Sequence, residues 1–62
     1  MTYQVKQETT GNRRWFVNGK VVSRYRMYDW LQDRGLRPGQ LTRQLVSEYV
    51  SWAQARGWKW EA

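Results

Sequence analysis

The chain has 62 residues, a net charge of +6 and ten large aromatic side chains, with neither Cys nor His. A body this short sits near the size at which one core struggles to offset chain entropy, and it has no Cys for a disulfide and no ordinary zinc constellation to help. The same absences remove thiol and imidazole catalysis, and no run approaches the roughly 20 apolar residues of a membrane span.

The remaining stabilising device is aromatic mass. Trp15, Trp30, Trp52, Trp58, Trp60, Tyr3, Tyr25, Tyr28, Tyr49 and Phe16 can each bury about 150–250 Å², so most of them belong to the core by default. We expect a single domain over residues 1–62. The N-terminus shows no apolar run resembling a signal peptide, and the lack of Cys fits a reducing compartment, so a cytoplasmic location is expected.

From Tyr3 to Thr9 the chain alternates, with Tyr3 and Val5 on one side and Gln4, Lys6 and Glu8 on the other, the period of a half-buried strand. Thr9-Thr10-Gly11 suits a three-residue hairpin loop, which sets Glu8 opposite Asn12, Val5 opposite Trp15 and Tyr3 opposite Val17. A second strand then covers about Arg13 to Val17. Asn18-Gly19 is a type I′ turn pair that returns the chain as Lys20-Val21-Val22, with Val17 opposite Lys20, Phe16 opposite Val21 and Trp15 opposite Val22. The sheet region, residues 3–23, therefore has an inner face of Tyr3, Val5, Trp15, Val17 and Val22. Its outer face carries Lys6, Arg14, Phe16 and Val21.

Ser23 is a suitable N-cap for a helix over residues 24–34, which Gly35 ends. Met27, Trp30 and Leu31 recur on one side with Tyr28 at the margin, while Arg26, Asp29 and Asp33 share the other. Pro38 is read as opening a second helix over 38–56, closed by Gly57. Its stripe of Leu41, Leu45, Tyr49 and Trp52 is widened by Val46, Val50 and Ala53. That arc exceeds what a surface helix needs, so the helix is expected to be central or partly intermolecular. Trp58 and Trp60 alternate around Lys59 in a short extended tail over 58–61. The predicted class is α+β: a small N-terminal three-stranded antiparallel sheet, two packed helices and an extended C-terminal tail.

The charge is segregated. Lys6, Arg13, Arg14, Lys20, Arg24 and Arg26 face a single acid, Glu8, in the first 26 residues, whereas the five basic and four acidic residues that follow nearly cancel. A concentrated positive field beside aromatic rings is what a polyanion surface requires, so nucleic acid is the leading partner. A β-ribbon fits the major groove of DNA, which places DNA ahead of RNA. Lys6, Arg14 and Phe16 would present cations around an exposed ring, with Arg13 and Lys20 near the loop ends and Arg24 at the helix start. A second mode uses Arg43, Gln44 and Ser47 as the exposed start of a helix-turn-helix reader, although the connection from Arg34 to Gly39 is longer than the usual three to four residues. The predicted nucleic-acid-binding set is Lys6, Arg13, Arg14, Phe16, Lys20, Arg24 and Arg43.

Catalysis has little material. Asp29 and Asp33 share a helix face without the other ligands of a divalent site, and Arg37-Pro38-Gly39-Gln40 lacks the Gly-Lys-Ser/Thr ending of a nucleotide loop, so no metal, cofactor or enzymatic activity is expected. The competing class is a protein-interaction module, an inhibitor docked on a larger acidic protein or a homodimer, since exposed aromatics mark interfaces. A plainer account of the cations is a charged sheet edge that limits aggregation. The layout of sheet followed by helices resembles, as architecture alone, small sheet-type DNA-binding modules of phage and mobile-element proteins.

Overall fold

Asn18 and Gly19 both take positive φ, 51° and 82°, and the hairpin they close anchors the sheet. The computed structural model describes residues 3–62; Met1 and Thr2, the start of the expected domain, lie outside the described residues. Its strands are β1 (Val5–Gln7), β2 (Trp15–Val17) and β3 (Lys20–Val21), antiparallel in the order β1-β2-β3. Helices α1 (Arg24–Asp33) and α2 (Arg43–Ala55) follow, so the chain is α+β, with the sheet first and two helices after it. Across the Asn-Gly turn, Val17 faces Lys20 and Phe16 faces Val21. The Val22 amide then donates to the Trp15 carbonyl at 2.9 Å.

The first hairpin corrects the expected register. Val5 pairs with Val17, Lys6 with Phe16 and Gln7 with Trp15, and the Glu8 amide donates to the Arg14 carbonyl at 2.9 Å. The loop is therefore Thr9 to Arg13, five residues rather than three, with Gly11 at φ 65° and Arg13 itself left-handed at φ 52°. The slip is by two positions. An even slip preserves which side each residue faces, and Tyr3, Val5 and Trp15 do pack on the core beside buried Val17 and Val22.

Ser23 occupies the N-cap of α1, but its side chain makes no capping bond; its amide donates instead to the Trp60 carbonyl at 2.7 Å. Gly35, at φ 73°, ends α1 in a Schellman turn: the Leu36 amide reaches the Leu31 carbonyl and the Gly35 amide reaches that of Gln32, both at 3.0 Å. The second helix starts later than expected. Pro38–Gln40 is an isolated 3₁₀ turn, Leu41 is extended, and Thr42 caps α2 by accepting the Leu45 amide on Oγ1 at 3.2 Å. The side-chain oxygen of Gln40 accepts the Arg37 amide at 2.9 Å, closing the 3₁₀ turn on itself instead of passing it into a helix.

The core joins all these elements: Val17, Val22, Met27, Trp30, Leu31, Val46, Tyr49, Val50, Ala53 and Trp60 are buried. The buried line of α2 runs along Val46, Tyr49, Val50 and Ala53, and the expected stripe members Leu41, Leu45 and Trp52 flank it half-buried. The tail is extended, as expected. Glu61 bridges to Val22 in antiparallel fashion, and the Ala62 amide donates to the Val21 carbonyl at 2.9 Å. This inserts Trp60, 6% exposed, into the core and leaves Trp58 46% exposed. No described helix is long and apolar enough to cross a membrane.

Candidate nucleic-acid interface

The corrected register changes the chemistry of the hairpin. Glu8 faces Arg14, and the two lock together: Arg14 Nε donates to Oε1 at 2.9 Å, its Nη2 donates to Oε2 at 3.1 Å, and its backbone amide donates to Oε1 at 3.0 Å. The side-chain bond from Arg14, followed by the backbone bond, holds the Glu8 carboxyl well below its ordinary value, at about 2, and the same pairing raises the Arg14 guanidinium further. Arg14 also lies 5.6 Å from the centre of the Phe16 ring. Arg14 is therefore an occupied cation.

The other expected members of the hairpin surface separate. Lys6 stands opposite Phe16 on the outer face, and both border a shallow hollow of about 340 Å³. Phe16 is half-buried, where an exposed ring was expected. Lys20 shares the Val17 side of the sheet and lies 3.7 Å from Glu61 of the tail, with 61% of its side chain exposed, a pairing that water and salt screen heavily. The outer sheet face thus keeps one cation, Lys6, without an acid within ion-pair distance among the described residues.

On the other side of the first loop, three arginines converge. A cleft of about 300 Å³ lies between the loop and α1, with Arg13, Arg24, Trp15, Tyr25 and Tyr28 in its walls. A second groove of about 420 Å³ shares Arg13 and Trp15 and is bordered by Arg43 and by Glu8, the acid that Arg14 holds. Trp15 thus borders both recesses. Each arginine arrives from a different element: Arg13 from the loop, Arg24 from the first position of α1 and Arg43 from the first position of α2. None of the three has an acid within ion-pair distance among the described residues.

The loop that carries Arg13 is held from both sides. Gln7 Nε2 donates to the Arg13 carbonyl at 3.2 Å, and Arg24 Nη2 donates to the Asn12 carbonyl at 3.3 Å. These bonds hold the left-handed Arg13 backbone and leave its guanidinium with no protein partner among the described residues. Tyr25 was absent from the predicted set. It is 78% exposed, and its ring meets Tyr28 edge-on at 6.3 Å and 88°. The signal was present in the sequence: Tyr25 is a large ring on the side of the α1 pattern away from Met27, Trp30 and Leu31, directly after Arg24.

Among the described residues, no group of three or more acidic, Cys or His side chains is placed to hold a metal ion. What the arrangement offers chemically is guanidinium donors for phosphate oxygens and ring faces for flat apolar groups. No family model, curated protein or solved structure matches this chain.

Proposed function

We propose that the chain is a small non-enzymatic nucleic-acid-binding protein of the cytoplasm whose contact surface centres on Arg13, Arg24 and Arg43. The observation that carries this reading is the placement of three guanidinium groups from three separate elements along the two recesses that share Trp15, none of them ion-paired among the described residues, with the single nearby acid, Glu8, bound by Arg14. Exposed arginines that merely keep a surface soluble have no reason to gather, because their mutual repulsion opposes it. A polyanion supplies that reason. Lys6 extends the field onto the outer sheet face, while Arg14 is largely spent on Glu8.

The test is a titration of the intact chain with labelled duplex DNA, single-stranded DNA and RNA across a salt series. Arg13→Ala, Arg24→Ala and Arg43→Ala should each weaken binding and lower the salt slope by about 0.9 on duplex or about 0.7 on a single strand. Arg14→Ala should lower it by less, and Arg34→Ala, whose guanidinium lies 4.3 Å over the Trp30 ring, should barely change it. Equal losses at all five positions would reduce the surface to a diffuse field. No binding to any of the three at low salt would remove nucleic acid and leave an acidic protein as the partner.

A further inference from the structure

We infer that the cleft between the first loop and α1 accepts one unpaired nucleotide of a single strand, with its base on Tyr25 and its phosphate between Arg13 and Arg24. This rests on the nucleic-acid reading and narrows it. The space, about 300 Å³, lies at the low end of the roughly 300–1,000 Å³ typical of small-ligand pockets. That is the scale of a nucleotide. A duplex keeps its bases stacked and paired, so it could offer this cleft only its backbone.

Tyr25 has the properties of a stacking platform. It is 78% exposed, so its ring adds little to the core, yet its edge-on contact with half-buried Tyr28 steadies it. An already ordered ring loses less entropy when a base lands on it. Arg24 precedes it in sequence and is tethered through one N–H to the Asn12 carbonyl. A guanidinium carries five N–H donors, so the remaining ones are available to a phosphate. Arg13 lines the same cleft, on a loop fixed by that tether. Charge and stacking surface are therefore side by side, as a single strand presents phosphate and base.

The experiment is fluorescence anisotropy of the full chain with oligothymidylate, oligouridylate and a DNA duplex of equal length at one salt concentration, repeated across a salt series. Both single strands should bind more tightly than the duplex. Tyr25→Ala should cost single-strand affinity roughly 5- to 150-fold, the range of one base-aromatic stack, with the salt slope unchanged and duplex binding untouched. Tyr25→Trp should restore it. Arg24→Ala should instead lower the single-strand slope by about 0.7. Because Tyr25 is exposed, its Ala variant should melt with the parent, which separates lost stacking from lost folding. Tighter binding of either single strand than of the duplex supports the inference. A duplex bound at least as tightly, or a Tyr25→Ala loss equal on duplex and single strand, overturns the inference while leaving the broader function in place. Absence of binding to all three overturns both.

Discussion

Glu8 accepts three N–H donations from one residue, Arg14, and this pair governs how the hairpin responds to acid. The carboxyl is lowered from 4.5 to about 2. A group whose pKa falls on folding stabilises the folded form above its unfolded pKa, and that contribution fades as the pH drops through the folded value. The stability it contributes should therefore be complete at neutral pH and fade between about 4.5 and about 2, with the contact itself breaking near the lower value. An NMR titration of the Glu8 side chain should show its midpoint near the lower figure, moving upward with added salt because the pair is exposed. A midpoint at the ordinary carboxylate value would show that the pair does not persist in solution. Charge counting could not have found this pair. In the three-residue-loop register Lys6 faces Arg14, two cations that look jointly available; in the true register the one acid of the segment takes that place.

At the scale of elements, the two helix starts make opposite use of a hydroxyl. Thr42 caps α2 through Oγ1, whereas Ser23 holds the corresponding position of α1 without a capping bond. Thr42→Ala should therefore cost about 1 kcal/mol, several degrees in the melting temperature of so small a domain, while Ser23→Ala should change little. Equal melting of the two variants would remove the distinction. What the sequence discloses here is whatever local backbone chemistry decides. Asn18-Gly19, Gly35 and Gly57 mark turns and helix ends because those positions need positive φ. The five-residue loop escapes notice because its left-handed residue is Arg13, a type that seldom takes that conformation, held there by the Gln7 bond to its carbonyl. Pro38 misleads for a related reason. Its fixed φ suits the first position of any helical turn, including one that stops at Gln40. Thr42, the true cap, was the signal to weigh against it.

For the molecule as a whole, the tail completes the core. Trp60 is 6% exposed and Trp58 46%, so Trp60→Ala should cost about 3–5 kcal/mol, which approaches the full stability of a domain near the lower size limit. Trp58→Ala should cost far less. Thermal melting of the two variants measures the difference, and similar losses would place Trp58 in the core as well. The α+β class and most of the core were legible because periodicity and ring mass are properties of the chain itself. The interface was legible only in part. Arg13, Arg24 and Arg43 could be picked out as cations, but their gathering around Trp15 depends on how α1 and α2 dock against the first loop, which no local pattern encodes.

The seam between Val22 and Glu61 also bears on the order in which the chain assembles. Both hairpins and both helices draw on neighbouring residues, whereas this seam joins segments that lie on either side of the two helices, and its closure entropy must be met before any contact repays it. It is expected to form last. On a ribosome it must wait for residue 61 to emerge, so the nascent sheet exists for a time with Val21 and Val22 along an open border. During that interval Lys20, not yet paired with Glu61, stands free beside them as the charge that discourages another strand from taking the tail's place.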